Sequence, residues 1–162
     1  MSLPIREQII RALQTRTGAL RKLPDYDDRD LPITEIDEGT ETATESGYGM
    51  TNATLQITVA RAINMSGVKD DTWHRAQNIA LAELIKEIYT GGDRLGGLAD
   101  GIDYNGGAID LLTNAANGAG VAVTVSVRYS FVHGNPYSQD ADSAFTDLSD
   151  DEESDDETEE ED

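Results

Sequence analysis

Side chains able to do chemistry are few in this sequence and poorly spaced for it. Its two histidines, His74 and His133, fall on separate segments, and neither has a second donor at metal-binding spacing. His74 follows Trp73 at the start of a helical pattern and His133 leaves a strand pattern, so both read as structural surface residues. The absence of cysteine removes disulfides, thiolate ligands and a thiol nucleophile, and leaves the redox compartment open. No serine stands in a Gly-x-Ser-x-Gly elbow, so a hydrolase triad has no nucleophile. Asp93, Asp100, Asp103 and Asp110 do not follow the alternating ligand spacing of a calcium loop. The glycines between positions 91 and 120 lack both Gly-Lys-Ser/Thr and Gly-x-Gly-x-x-Gly, so they read as turn glycines rather than a phosphate cradle. No catalytic, cofactor-binding or metal-binding residue is therefore assigned, and the expectation is a non-enzymatic structural protein without cofactors.

Charge divides the chain in two. Of 32 acidic residues, 14 lie in residues 137–162, which hold no Lys or Arg; residues 1–136 carry 18 acidic and 12 basic side chains, a net of −6. The division predicts a folded domain over residues 1–136 and a disordered polyacidic tail over residues 137–162. A body of this sign has no clustered cations to neutralise phosphates, which argues against sequence-specific nucleic-acid binding. The first residues lack a basic start followed by an apolar run, and no stretch approaches the ~20 apolar residues of a membrane span. A soluble protein with no membrane partner is the expectation. Three Lys against nine Arg, with an acidic body, is a balance compatible with a halophilic host, because salt relieves self-repulsion.

Hydrophobic periodicity locates the elements. Ile5, Ile9, Ala12 and Leu13 predict a helix over residues 4–20, with Ser2 as its cap and Gly18 near its end. Residues 31–37 read as a short strand that Pro32 confines to a strand start or an edge, and residues 38–49, rich in Thr, Glu, Ser and Gly, as an exposed loop or mobile hairpin tip. Leu55, Ile57 and Val59 alternate with polar residues and predict a strand over residues 51–63. Asp70 or Asp71 is expected to cap a second helix that buries Trp73, Gln77, Ala80, Leu81, Leu84 and Ile88 and stops at Gly91-Gly92. Residues 96–107 then read as turns, 108–113 as a strand and 114–120 as a loop. The clearest pattern is last: Val121, Val123, Val125, Val127, Tyr129 and Phe131 form one face of a strand whose other face is Ala122, Thr124, Ser126, Arg128 and Ser130. The order helix, strand, strand, helix, strand, strand predicts an α+β fold, an antiparallel or mixed sheet of about four strands with two main helices packed on one face.

Three segments carry a resemblance. They are the opening Pro4-Ile-Arg-Glu-Gln-Ile-Ile-Arg-Ala-Leu, the stretch Leu95-Gly-Gly-Leu-Ala-Asp-Gly-Ile, and Val125-Ser-Val-Arg-Tyr-Ser-Phe closed by Gly134-Asn135-Pro136-Tyr137. Together they resemble the tail terminator (minor tail protein U-like) family of tailed viruses, with Asn135 where that family's turn has Asp. The resemblance covers most of the body and none of its motifs is catalytic. It implies a small virion subunit that forms a homo-oligomeric ring of six at the head-proximal end of the tail, after assembly in the host cytoplasm. It further implies two partners, the tail tube protein, whose polymerisation the ring stops, and a head–tail connector or neck protein. A head–tail joining or tail-completion subunit is the alternative within the same class. A soluble acidic-tailed protein that captures a basic partner is the alternative outside it.

Overall fold

The computed structural model describes residues 2–140; residues 141–162, most of the expected acidic tail, lie outside the described residues. Helix α1, Ile5–Thr17, forms where Ile5, Ile9, Ile10 and Leu13 recur at helical spacing, and all four are buried. It ends at Gly18, whose left-handed φ of 68° returns its N–H to the Gln14 carbonyl at 2.8 Å. Its start is set by Pro4 and not, as expected, by Ser2. Pro4 takes the cap position, its carbonyl accepts from Gln8 N at 3.1 Å, and its ring leaves no N–H to satisfy.

The remaining elements are strand β1, Ile33–Ser46; strand β2, Met50–Asn64; helix α2, Trp73–Ile88; strand β3, Gly101–Leu111; and strand β4, Gly118–Val132. All four strands pair antiparallel in the order β1-β2-β4-β3, and the fold is α+β. The central register sets Leu55 opposite Val127, Ile57 opposite Val125 and Val59 opposite Val123, all with no exposed surface. These six side chains belong to one core with Ile9, Ile10 and Leu13 of α1 and Ala80, Leu84 and Ile88 of α2, so both helices cover the same sheet face. The α2 stripe is as expected, with Gln77, Ala80, Leu84 and Ile88 buried and Trp73 and Leu81 half-buried. Its expected Asp cap is absent: Asp70–Thr72 forms a preceding 3-10 turn, and the hydroxyl of Thr72, at the cap position, points back to donate to the Lys69 carbonyl at 3.0 Å.

Three segments expected to be irregular are strand. Residues 38–46 do not form a loop but continue β1, and only the turn at 47–49 separates β1 from β2. Their Thr- and Glu-rich composition suits a strand with one neighbour and one open edge, where apolar alternation is not required. Likewise β3 begins at Gly101, inside the expected turn region, and β4 begins at Gly118, inside the expected loop. Here glycine serves close approach as well as turning. A Cβ on Gly107 would lie 2.9 Å from the Leu81 side chain, and one on Gly120 would lie 2.8 Å from that of Leu111. The strand ends at Leu111 instead of Thr113, with register shifts between Tyr104 and Gly106 and between Ala108 and Leu111.

The alternation in β4 yields a pair of variants with opposite outcomes. Val125→Asp places an unpaired carboxylate in the core and should cost several kcal/mol, enough to unfold the domain. Ser126→Asp, on the face the helices do not cover, should leave the far-ultraviolet circular-dichroism spectrum and the thermal midpoint close to those of the parent chain. Equal loss of folded protein in both would contradict the register.

Candidate assembly surface

The residues with chemical potential are tied to separate structural tasks. His74 Nε2 lies 2.9 Å from Asp110 Oδ2, while the fully buried Gln77 donates to Asp110 Oδ1 at 2.7 Å and accepts from Asp110 N at 2.6 Å. This constellation fastens the end of β3 to the first turns of α2, and it holds Asp110 in a left-handed conformation with φ 60°. His133 is at the far end of the sheet, where its N–H donates to the Gly49 carbonyl at 2.8 Å and its Nδ1 lies 3.1 Å from Thr51 Oγ1. Asp103 accepts from Arg128 Nε at 2.7 Å and Asp100 from Ser130 Oγ at 3.1 Å. Asp93, Asp100 and Asp103 thus lie about the Arg128 guanidinium, whose positive charge they favour, while Asp110 is held apart by Gln77 and His74; among the described residues no three His, Asp or Glu side chains are grouped to hold a metal ion.

What does converge is backbone. The N–H of Ile5, opening α1, donates to the Pro136 carbonyl at 2.9 Å, joining the first residues of the domain to the turn after β4. That turn is built by Gly134 at φ 76° and by Asn135, whose N–H donates to the Val132 carbonyl at 2.7 Å and whose Oδ1 accepts from Tyr137 N at 3.2 Å. An aspartate at position 135 would present the same acceptor. The Leu95–Gly97 turn and the residues after it meet the same end of β4: Asp100 N donates to the Arg128 carbonyl at 2.7 Å, and Gln139 Nε2 donates to both the Leu98 and Ser130 carbonyls at 2.9 Å. With His133 N on the Gly49 carbonyl, four segments distant in sequence form one hydrogen-bonded end of the molecule.

Below that end, Tyr129 is 2 % exposed and gives its hydroxyl proton to Glu41 of β1. The same Glu41 oxygen receives Arg6 Nη1 of α1 at 3.3 Å. Arg6 also lies 3.7 Å from Glu38, which pairs with Arg21; Arg21 in turn meets Glu7 at 2.8 Å, and Glu7 meets Arg11 at 2.9 Å. The exposed pairs in this chain are each worth little, but together they fix α1 along β1. The hydrogen bond from Arg11 holds the Glu7 carboxyl below its usual range. Burial, reinforced by the hydrogen bond and charge of Glu41, pushes the Tyr129 phenol well above its usual value. At the other end of the sheet Arg61 of β2 has 12 % of its side chain exposed. It meets both Glu87 oxygens at 3.0 and 2.6 Å, Thr34 Oγ1 at 2.8 Å and the Thr17 carbonyl at 3.2 Å, so one guanidinium spans the sheet and both helices.

The other sheet face carries short polar side chains that pair with one another. Thr58 and Thr124 hydroxyls are 3.2 Å apart, Ser130 Oγ lies 2.8 Å from Asn52 Oδ1, and Asn105 donates to Ser126 at 2.5 Å. At the outer edge of β1, Leu20 N donates to the Thr34 carbonyl at 2.9 Å and Ile36 N to the Leu20 carbonyl at 3.0 Å, so only the beginning of that edge is covered by another segment. Sequence reasoning missed Arg61, Tyr129–Glu41 and the Gln139 clamp. The first two had a signal, since both residues stand on a strand's apolar face, where a buried guanidinium or phenol must find a polar partner.

No family model and no curated protein matches this chain.

The Tyr129 bond gives a measurable pH response. Because the native phenol is held above the ordinary tyrosine value of 10.0, its contribution to stability is complete below that pH and is lost as the pH rises past it toward the native value. Apart from Tyr89, whose phenol burial also raises, spectrophotometric titration should show Tyr129 ionising only with alkaline unfolding, and Tyr129→Phe should remove that late step. The same variant should lower stability by about 1 kcal/mol, since Arg6 still satisfies Glu41. A Tyr129 that ionises with the exposed tyrosines would refute the buried bond.

Proposed function

We propose that this chain is a non-enzymatic virion subunit that closes into a ring, caps the tail tube of a tailed virus and joins it to the head or neck. The observation that carries the reading is spatial. The three segments whose residues resemble the tail terminator family meet at one end of the domain, through Ile5 N on Pro136 O and through the contacts of residues 98–100 with the end of β4. The order helix, strand, strand, helix, strand, strand that the residue pattern predicts is the order of this fold.

Two physical features support assembly through side chains rather than by adding strands edge to edge. The exposed edge strand β1 carries Glu35, Asp37, Glu38, Glu41 and Glu45 and no Lys or Arg, a composition that discourages strand addition. The body as a whole is acidic, so copies repel at long range and associate more readily when salt screens them.

Two measurements test the reading. Light scattering and negative-stain microscopy of the full chain should show closed rings, six copies being the expected number. Added to polymerising tail tube protein, the chain should stop tube growth at one end. A strictly monomeric protein that never caps tubes would refute the proposal. Removing residues 141–162 takes away 13 carboxylates and none of the hydrogen bonds described above. The truncated chain should keep its thermal midpoint and form rings with less dependence on added salt. Unchanged salt dependence would show that these charges do not act on assembly.

A further inference from the structure

Carboxylates that leave open water in this domain are matched, with one exception. Among the described residues Glu7, Asp28, Glu41 and Glu87 are half-buried, and each has a partner: Arg11 and Arg21, Asn117, Arg6 and Tyr129, and Arg61 in turn. Glu35 of β1 is half-buried as well, and among the described residues no hydrogen bond or ion pair reaches its carboxylate. A carboxylate partly withdrawn from water and left unmatched is open to a cation from outside the chain.

Its neighbours form a recess on the sheet face that the helices leave uncovered. Val59 and Arg61 of β2 point to the helices, so Ala60 and Ala62 point the other way, paired with Glu35 and Ile33. One row across the sheet runs Ile33, Ala62, Gly120, Leu111, which places a floor of small residues between two large ones, and Glu35 stands next to Ile33 on the same face. Tyr26, in the segment joining α1 to β1, completes a solvent-connected cavity of about 110 Å³. Asn114 N donates to the Tyr26 hydroxyl at 3.2 Å, and Asn117 N donates to Asp28 Oδ1 at 2.9 Å, so the segment is tied down at the rim. The space is a few times the ~30 Å³ that a water takes in the liquid, room for one short organic molecule. Arg61 lines it too, but its guanidinium is turned to Glu87, Thr34 and Thr17, which leaves Glu35 as the unmatched charge.

We propose that this recess binds a small organic cation, a primary ammonium on a short apolar stem, with the ammonium on the Glu35 carboxylate and the stem against Ile33, Leu111 and the Tyr26 ring. A metal ion is disfavoured, because a hard cation needs several oxygen ligands and Glu35 supplies one carboxylate. An anion is disfavoured by that carboxylate and by the segment over the recess, where residues 25–30 hold four aspartates and one arginine. A neutral apolar molecule would dehydrate the carboxylate further and leave it unmatched. Partial burial makes the attraction of a cation to Glu35 stronger than to a carboxylate in open water. The recess lies at the Ala62–Gly120 end of the sheet, whereas the segments on which the ring reading rests meet at the Met50–Val132 end, so the two proposals stand independently.

The full chain, held at constant ionic strength, tests this with n-butylammonium as the probe and with ammonium and n-butanol as its two halves. The methyl resonances of Ile33 and Leu111 should shift saturably with n-butylammonium, and each half alone should bind about tenfold more weakly or worse. Glu35→Gln should lower the affinity about tenfold and leave the thermal midpoint unchanged, because the carboxylate makes no bond among the described residues. Ala60→Leu, which raises the floor into the recess, should abolish the saturable shift. If ammonium matches n-butylammonium, or Glu35→Gln binds as the parent chain does, the attraction is that of the acidic body at large and the inference fails. If n-butanol matches it, the recess takes apolar molecules without regard to charge and the inference fails. A parent chain with no saturable shift holds only water there, which overturns the inference and leaves the ring reading untouched.

Discussion

Everything in this domain depends on the register between β2 and β4. Fifteen consecutive residue pairs run from Met50–Val132 to Asn64–Gly118 without a break. Because side chains alternate with a period of two, a shift of one residue would exchange the valines of β4 with its threonines and serines. The same shift would withdraw Tyr129 from Glu41. It would also alter which side chains of β1 and β3 face the helices, since β1 pairs only with β2 and β3 only with β4. The helices are positioned secondarily, by the apolar surface this pairing creates and by Arg61, which reaches from β2 to Thr17 of α1 and Glu87 of α2.

The parts of the fold legible in the sequence are those whose order is enforced by burial on one face. The β4 valines, the Leu55-Ile57-Val59 run and the stripes of α1 and α2 each face water on one side and the core on the other, so their period is written in residue type. The second half of β1 was not legible because it lies at the edge of the sheet, where Thr42, Ala43 and Thr44 face solvent and no apolar alternation is imposed. Glu38 and Glu41 are ordered by Arg6 and Arg21, partners remote in sequence. β3 was obscured for the opposite reason, since Gly107 and Gly120 leave room for Leu81 and Leu111 and so resemble turn glycines. The candidate surface was legible only as separate motifs; that they meet depends on backbone bonds such as Ile5 to Pro136, to which side-chain identity contributes little.

The use of arginine helps explain why so acidic a body is stable as a single domain. Arg6, Arg11, Arg21, Arg29, Arg61 and Arg128 each pair with a carboxylate, and Arg16 donates to the Ile88 and Gly92 carbonyls at 2.7 Å, closing the C-terminal end of α2. The guanidinium fork suits these multiple contacts better than an ammonium does. Much of the positive charge is thus committed within the domain, and the net field around it stays negative. That field repels any other acidic surface at a distance and is weakened by added salt.

The bond between Ile5 and Pro136 also makes the folded path nearly a closed circuit: the chain enters and leaves the domain at adjacent points. A domain with this property behaves as a module that can be spliced into the loop of another protein, because the host need supply two attachment points only a few ångströms apart. It can equally be re-cut, its old ends joined by a short linker and new ones opened at an exposed turn, without altering the sheet order. The connectivity of the chain is therefore separable from the architecture it builds, and the β2–β4 register, not the position of the ends, defines the domain.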